Sequence, residues 1–297
     1  MGKPKLRKLF LVPDSKAEKE IEMSHYSHDV KNKNASFFDP NVQRFEMKNW
    51  RKYFSNKLSG KGLEIGPLHR PMCKHDSMQV DYIDRYTVKE LRAEYPELKE
   101  LDLIEPDIIG DAEDLSVIKD RAYDFLISAH VIEHMKNPLQ ALKNWMRIIK
   151  PGGLIYLIAP DKRAIFDHPR SRTQLAHMIL DYKEPSKLRD YEHYLDYATH
   201  VHDKRGESTI EEANRLIETD YSIHYHVFTP ADMLELLNWF SENVKKIEIV
   251  EGPVLSPQIN RSTENTFFSA KELDCNNPNK VEVFAESDEF HFLIKVL

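Results

Sequence analysis

The chain has 297 residues, of which 41% are hydrophobic and 31% are charged, and its formal net charge is -7 at pH 7. This length and composition are typical of a globular protein with one large domain or two small ones, and they exclude a largely disordered chain. The negative charge argues against nucleic acid as the main partner, because phosphate binding needs a basic face.

Apolar runs and the number of cysteines indicate the cellular compartment of the protein. No apolar run approaches the ~18 residues of a membrane span, and only a short apolar patch follows the basic start, so neither a span nor an export signal is predicted. The two cysteines, Cys73 and Cys275, are too few for a disulfide framework and fit a reducing cytosol. The sequence therefore predicts a cytoplasmic protein.

Residues 1–57 precede the first predicted strand. Their basic start is expected to be a mobile tail, whereas residues 42–58 mix charged and aromatic side chains in the manner of an amphipathic helix. Such a helix would either cover a bound cofactor or pack against the edge of a sheet, and packing is the plainer interpretation.

A short apolar run through Glu64 and Ile65 gives way to Gly66 and a polar turn rich in proline. This is the pattern of a buried strand that delivers a loop to a ligand, because ligands bind beyond the carboxyl ends of strands in open parallel sheets. Glycine has no Cβ, so the backbone there can approach a ligand closely or take a positive φ. Taken alone, the motif fits a tight turn equally well.

The second predicted strand, residues 79–84, ends in Asp84, which lies 18 positions after Gly66. An acidic residue about 20 positions on is where a ribose diol is held in dinucleotide-binding folds, and a carboxylate accepts from both hydroxyls. The alternative role for Asp84 is to cap the helix that begins at residues 87–91. Asp111, at the end of a further short strand, can accept from the exocyclic amine of a purine.

Strand and helix alternate up to residue 160, with strands at 123–130 and 154–159 around a helix at 139–149. This alternation predicts an α/β fold with a doubly wound, mostly parallel sheet. Seven strands are expected in all, the last of them (289–296) antiparallel and preceded by a loop at about 256–279. The long segment after the fifth strand is expected to be a largely helical insertion, followed by a helix at 233–240.

Five motifs in this order resemble the class I S-adenosylmethionine-dependent methyltransferases, in particular those of type 11. They are Leu-Glu-Ile-Gly (63–66), Val-Asp-Tyr-Ile-Asp (80–84), Gly-Asp-Ala-Glu-Asp-Leu (110–115), Ser-Ala-His-Val-Ile-Glu-His (128–134) and Lys-Pro-Gly-Gly-Leu-Ile (150–155). The resemblance covers about 61–160 and implies a Rossmann-like methyltransferase fold. The chain also resembles a subgroup that accompanies bacterial polysaccharide synthesis, through Glu-Ile-Gly-Pro (64–67), Pro-Asp-Lys-Arg (160–163) and His-Val-Phe-Thr-Pro (226–230).

The resemblance implies S-adenosylmethionine as the cofactor and assigns residues to each part of it. Glu64, Gly66 and Pro67 shape the methionine side, Asp84 holds the ribose, Asp111 and Ala112 meet the adenine, and Ser128, Ala129 and His130 line the floor near the sulfonium. The chain departs from the family pattern at Pro67 and Leu68, which stand in place of further glycines. Because proline lacks an N–H donor, the loop is expected to approach the cofactor differently, which leaves its affinity open.

Methyl transfer from a sulfonium is an in-line displacement, so an enzyme supplies alignment and, for a hydroxyl acceptor, a base. Histidine suits the base because it is neutral near pH 7. His226 is the first candidate, since it immediately precedes the helix that returns to the sheet, and His130 is the second; Asp161 is a further catalytic candidate. The plain alternative for each histidine is a surface or hydrogen-bonded residue.

Arg163, Asp167 and His224 are the predicted acceptor-binding residues. Neighbouring basic side chains can hold a phosphate or carboxylate, and tyrosines can offer faces to a sugar ring: Lys162, Arg170, Arg172, Tyr182, Tyr191, Tyr194 and Tyr197. The pairs His200/His202 and His224/His226 can each place two imidazoles on one strand face. Histidine spacing alone is poor evidence for a metal, so no metal site is predicted.

The leading hypothesis is O-methylation of a sugar or glycan precursor, with a histidine as the base. It divides the chain into an extension (1–57), a cofactor-binding half (58–161), an acceptor-binding insertion (162–228) and a C-terminal part (229–297). The expected partner is a small-molecule or glycan acceptor, with a homo-oligomer or glycan-synthesis enzymes as candidate associates.

The sequence permits two other functions and disfavours a third. An apolar acceptor pocket would favour methylation of another small metabolite. The missing glycines permit a cofactor-binding partner protein that has lost catalysis. A nicotinamide dehydrogenase is disfavoured because the Gly-x-Gly-x-x-Gly fingerprint is absent.

Overall fold

The computed structural model describes residues 50–255 and 289–297. Its seven strands are β1 Gly60–Ile65, β2 Met78–Asp84, β3 Ile108–Ile109, β4 Tyr123–Ala129, β5 Ile149–Pro160, β6 Ile247–Leu255 and β7 Glu289–Val296. Its seven α-helices are α1 Trp50–Ser55, α2 Val88–Glu94, α3 Pro138–Ile148, α4 Leu175–Lys183, α5 Lys187–His200, α6 Glu207–Glu218 and α7 Pro230–Asn243. The expected tail, most of the helix over 42–58 and the loop over 256–279 lie outside the described residues.

The strands form one seven-stranded sheet in the order β3-β2-β1-β4-β5-β7-β6. Strands β1 to β5 run parallel to one another, whereas β7 runs antiparallel to both β5 and β6. Helices α4, α5 and α6 follow the fifth strand. The structure thus confirms the predicted fold, and it brings the carboxyl ends of β1, β2 and β4 to one edge of the sheet, where ligands bind in such folds.

Both faces of the sheet are covered, which explains why the central strands are nearly continuous apolar runs. One face packs against α3 and α7, around the fully buried Trp145 and Phe240. The other face packs against α1, where the Phe54 ring stacks on Tyr156 with centroids 5.0 Å apart. The described part of the N-terminal helix therefore packs against the sheet.

Three helices begin at residues that the sequence marks as caps. Thr87 forms a capping box with Glu90 at the start of α2, so the helix-cap alternative for Asp84 is wrong. Thr229 forms the same box with Asp232 at the start of α7. The Asn137 side chain accepts from the N–H of Gln140 at the start of α3.

The insertion has a small core of its own between α5 and α6. It is built from buried aromatic and aliphatic side chains: Tyr194, Tyr197, Ala213, Leu216, Ile223 and Tyr225. The hydroxyls of Tyr194 and Tyr225 lie 2.5 Å apart within it. Two of the tyrosines expected to face a sugar, Tyr194 and Tyr197, therefore pack inside the insertion.

Among the described residues, no helix is both long and apolar enough to cross a membrane.

Trp145 links the core to the loop after β3, because its indole N–H donates to the carbonyl oxygen of Ala112 at 2.7 Å. We expect Trp145→Phe to lower the free energy of unfolding by about 1–3 kcal/mol, since it leaves a buried carbonyl without a donor. Urea unfolding measures this change. Trp239→Phe, at a half-buried position on α7, is the control. An equal loss in both variants would show that ring volume and not the hydrogen bond matters.

Candidate active site

The turn after β1 contains an unsatisfied carboxyl group and a glycine in a left-handed conformation. Glu64 is buried; its Oε1 accepts from the N–H of Met72 at 2.8 Å, while its Oε2 has no hydrogen-bond partner. Burial raises the pKa of Glu64 to about 7, against the lowering effect of the Met72 N–H. Gly66 has φ +58°, a conformation that favours glycine, and Leu68 shares it with φ +47°.

The end of β2 lies directly beside this turn. A Cβ placed on Gly66 would come within 4.0 Å of Asp84 Oδ2 and 3.8 Å of Val131. Asp84 is half-buried, and burial raises its pKa to about 6, opposed by hydrogen bonds from the backbone N–H groups of Arg85 and Tyr86. Its carboxylate is therefore held in place at the mouth of the turn.

The predicted adenine-side residues follow β3. The N–H of Gly110 donates to the carbonyl oxygen of Asp84 at 2.9 Å, which places Asp111 next to the end of β2. The Asp111 side chain is exposed and accepts from the N–H of Glu113 at 2.6 Å. This carboxylate stabilises its own turn, and Ala112 is fixed by Trp145.

The end of β4 forms the third wall of the site. Ser128 is fully buried and its Oγ has no hydrogen-bond partner. His130, two residues later, has φ +55° and its Nε2 lies 2.8 Å from Glu289 Oε2. Although burial lowers it, the hydrogen bond to Glu289 and the charge of Glu133 raise the pKa of His130 above its ordinary value. Because Glu289 occupies its Nε2, His130 is better placed to hold the end of β4 than to accept a proton from an acceptor.

These residues fit S-adenosylmethionine. Glu64 Oε2 and Ser128 Oγ are buried polar atoms without partners on adjacent parallel strands, and such atoms call for a ligand group. The carboxylate of Glu64 suits an ammonium group, and that of Asp84 suits a ribose diol. When bound, the cofactor supplies an electrophilic methyl group.

A second cluster lies where the insertion meets the loop after β4. Asp167 is buried, with its Oδ2 2.5 Å from Nδ1 of His224 and its Oδ1 2.8 Å from the guanidinium of Arg170. Although burial raises it, hydrogen bonds from His224 and Arg170 lower the pKa of Asp167 below its ordinary value. An ionised Asp167 makes Nδ1 of His224 the donor, which leaves Nε2 with a lone pair.

Glu133 connects this cluster to the end of β4. It is fully buried, neither carboxyl oxygen has a hydrogen-bond partner, and Oε1 lies 4.0 Å from His224 Nε2 and 3.7 Å from His130 Nδ1. Burial raises the pKa of Glu133, and the nearby histidines lower it in part. Sequence patterns assign no role to Glu133, although it lies within the fourth motif.

The ring of Phe166 lies over His224. Phe166 is 51% exposed, and its centroid is 4.9 Å from that of the imidazole. A large aromatic ring exposed beside two polar side chains offers an apolar face to a ligand that also carries hydroxyl groups. Periodicity could not single out this residue, because it lies in an irregular loop.

Residues 59–157 match the family model described as "Methyltransferase domain". This third of the chain is similar to a methyltransferase domain. The match supports a methyltransferase, and the unpartnered atoms of Glu64 and Ser128 fit S-adenosylmethionine as its cofactor. A comparison with curated proteins returned no match.

Three solved structures illustrate what the chain is similar to. The YcgJ protein from Bacillus subtilis is 12% identical, with 68% of this chain and 70% of that chain covered and a TM-score of 0.35. S-adenosylmethionine-dependent methyltransferases from Methanosarcina mazei (17% identity, coverage 83% and 96%, TM-score 0.37) and Archaeoglobus fulgidus (16%, 83% and 90%, 0.38) are also similar.

Two of the catalytic candidates of the methyltransferase lie outside the Asp167–His224 cluster. His226 is 0% exposed, its Nε2 is 3.1 Å from the carbonyl oxygen of Lys136, and burial lowers its pKa to about 3. Asp161 is buried and accepts from Arg163 through the backbone N–H at 3.0 Å and the guanidinium at 2.9 and 2.6 Å. Asp161 and Arg163 therefore bind each other, whereas Asp167 and His224 are brought together.

The histidine pairs do not form the strand faces that their spacing suggested. His200 is the last residue of α5, and His202 follows it, so the idea that these two share a strand is wrong. His202 binds Glu212, with 2.7 Å between Nδ1 and Oε1. His224 and His226 point to different partners, Asp167 and the carbonyl of Lys136.

The raised pKa of Asp84 predicts a pH-dependent affinity for the cofactor. Ribose hydroxyls donate to an ionised carboxylate, so we expect affinity to fall as the pH falls through about 6. Between pH 7.5 and pH 5 the loss from this group should be up to roughly tenfold. Calorimetric titration with S-adenosylhomocysteine at both pH values measures it.

The control separates Asp84 from Glu64, which ionises in the same range. Asp84→Asn should bind weakly at both pH values and should lose its share of the pH dependence, whereas Glu64→Gln should retain that share. If Asp84→Asn binds S-adenosylhomocysteine with unchanged affinity, Asp84 does not bind the ribose.

Proposed function

We propose that the methyltransferase transfers its methyl group to a hydroxyl oxygen of a sugar or glycan precursor and that His224 is the general base. The observation that supports this proposal is the 2.5 Å contact between Asp167 Oδ2 and His224 Nδ1. It lies beside the half-exposed Phe166 and within 4.0 Å of the unpartnered Glu133. His224, Phe166 and Glu133 thus provide what a hydroxyl acceptor needs: a base, an apolar face and a further polar group, respectively.

His224 meets the requirements of a base better than the two histidines that the sequence favoured. His226 is fully enclosed, so an acceptor cannot reach it without displacing the core. His130 lies between two carboxyl groups, and its Nε2 is engaged by Glu289 at 2.8 Å. His224 retains some exposure, with 12% of its side chain accessible, and its Nε2 faces the space next to Glu133.

The proposed proton path uses residues whose positions are fixed by hydrogen bonds. As the acceptor oxygen attacks the methyl carbon, its proton passes to His224 Nε2. Asp167 keeps the Nδ1–H tautomer in place and stabilises the imidazolium that forms, as a carboxylate does behind a histidine base. Arg170 fixes Asp167 at 2.8 Å and also donates to the backbone carbonyl of His224 at 2.8 Å.

The polarity of this region favours a sugar over an apolar metabolite. Charged and hydrogen-bonding side chains surround His224: Glu133, His134, Asp167 and Arg170. Phe166 provides the single large apolar surface next to the base among these neighbours, and sugars combine a C–H face with hydroxyl groups. Arg163, Arg170 and Arg172 already bind Asp161, Asp167 and Asp232, so a phosphate on the acceptor would have to compete with these carboxylates.

The proposal places the enzyme in the cytoplasm, among those that build bacterial polysaccharides. Its support is the sequence resemblance at residues 64–67, 160–163 and 226–230. Glycan-synthesis enzymes or a second copy of the chain are the proposed associates. The four-part division of the chain belongs to the same proposal, with residues 162–228 as the acceptor-binding part.

His224→Gln is the direct test of the base. We expect turnover to fall by roughly 10²–10⁴-fold, the usual contribution of general base catalysis, while S-adenosylhomocysteine binds as before. The assay follows methyl transfer from S-adenosylmethionine to a panel of nucleotide sugars and oligosaccharides, with amines and catechols as non-sugar acceptors. Asp167→Asn should give a smaller loss in the same direction.

His200→Gln, an exposed histidine on α5, is the matched control and should keep full activity. Full activity of His224→Gln on a sugar acceptor would contradict the assignment of His224 as the base but would leave the assignment of a sugar as the acceptor intact. Methylation of amines alone would instead support the small-metabolite alternative. Cofactor binding without transfer to any acceptor would favour the non-catalytic partner protein.

A further inference from the structure

Three imidazoles and one carboxylate converge inside the insertion, away from the Asp167–His224 cluster. His177 and Asp181 lie one turn apart on α4, His193 lies on α5, and His226 lies just before α7. One nitrogen or carboxylate oxygen from each residue lies within 4.8 Å of the corresponding atoms of the other three. Three separate parts of the chain thus supply side chains of the types that bind transition metals.

The shortest distances in this cluster match the edges of a tetrahedral metal site. His177 Nε2 is 3.1 Å from Asp181 Oδ2 and 3.2 Å from His193 Nε2. Zinc–nitrogen bonds of about 2.0–2.1 Å in a tetrahedron place neighbouring ligand atoms about 3.3 Å apart. The imidazole of His226 borders this group, with its ring centroid 4.8 Å from that of His193 and its Nε2 4.0 Å from Asp181 Oδ2.

The ionisation states also suit a cation. Burial lowers the pKa of His193 to about 4 and that of His226 to about 3, so both imidazoles are neutral at physiological pH. Although burial raises it, hydrogen bonds from His177 and Arg189 lower the pKa of Asp181, which keeps the carboxylate ionised. Metal ligands must be neutral histidines and ionised carboxylates, and His193, His226 and Asp181 meet this requirement.

Outer contacts orient two of the four side chains as in known metal sites. Asp181 Oδ1 accepts from the guanidinium of Arg189 at 2.6 Å, which directs Oδ2 toward the histidines. His226 Nε2 lies 3.1 Å from the carbonyl oxygen of Lys136, and its Nδ1 is buried without a hydrogen-bond partner. A histidine that donates through one nitrogen to a backbone carbonyl and leaves the other with a lone pair is typical of a metal ligand.

A cluster held by hydrogen bonds alone explains these contacts less well. One proton between His177 and His193 would satisfy that pair. It would still leave the Nδ1 atom of His226 enclosed and without a partner, which costs free energy. A bound cation explains the convergence and provides a partner for the remaining lone pair.

We propose that His177, Asp181, His193 and His226 bind one Zn²⁺ ion in a four-coordinate, structural site. Four protein ligands leave no open position, so the ion does not act on a substrate. It joins α4 and α5 to the segment that precedes α7. This inference does not depend on the proposed acceptor or base.

The test begins with tag-free protein purified without a chelator and analysed for metal by mass spectrometry. We expect about one zinc per chain, and we expect removal by EDTA to lower the melting temperature until zinc is restored, because an ion that binds only the folded state stabilises it. Cobalt substitution should give the strong visible absorption of a tetrahedral site. Absence of zinc after incubation with excess Zn²⁺, or a weak octahedral cobalt spectrum, would overturn the proposal.

Variants locate the ion. His177→Gln changes a ligand whose side chain is 33% exposed, so it should fold, and Asp181→Asn keeps the shape of its side chain. Each should lower zinc affinity at least about tenfold, and the melting temperature of each should no longer respond to EDTA. His200→Gln should retain zinc. If zinc is retained by both ligand variants but lost in His134→Gln, the ion sits instead at Glu133, His134 and His224, and the proposal fails.

Discussion

The backbone carbonyl of Glu133 accepts hydrogen bonds from the N–H groups of both Tyr225, at 2.8 Å, and His226, at 3.2 Å. Two further backbone contacts continue this attachment: Thr173 donates to the carbonyl of Val227 at 3.1 Å, and Lys162 donates to that of Phe228 at 2.9 Å. An extended segment of the insertion is thereby fixed to the loop after β4. Because that loop begins at the edge where Glu64, Asp84 and Ser128 lie, the Asp167–His224 cluster is fixed relative to these residues.

This attachment has an electrostatic cost that the surrounding hydrogen bonds offset. Arg170 is 3% exposed, and burying a guanidinium is expensive unless its donors are satisfied. It binds Asp167 at 2.8 Å, Asp196 at 2.6 Å and the carbonyl of His224 at 2.8 Å. An apolar cluster of equal volume could be as stable, but it would not fix the tautomer of His224. The network is therefore better explained by the orientation it imposes than by the stability it adds.

Hydrophobic periodicity and the positions of turn and capping residues predict the sheet, because both depend on local burial and local backbone geometry. The strand ends at Asp84 and Ala129 and the caps of α3 and α7 are local signals of this kind. The choice between His224 and His226 could not be made in this way, since the two differ only in which distant side chains they meet. Glu133 gave no signal because its role follows from burial. His177 and Asp181 stand one helical turn apart, a spacing that could have been read had α4 been predicted as a separate helix.

The cofactor side shows how a binding site can be prepared at the expense of stability. Burial raises the pKa of Glu64 to about 7 and that of Asp84 to about 6. A carboxyl group with a raised pKa binds its proton more tightly in the folded state, so it destabilises that state as the pH rises above the pKa of the unfolded chain. At neutral pH both groups therefore oppose folding. A ligand with an ammonium group and a ribose diol relieves this cost, because it provides Glu64 with a cation and Asp84 with two donors. The same desolvation that weakens the empty protein thus strengthens the discrimination in favour of a cationic nucleoside.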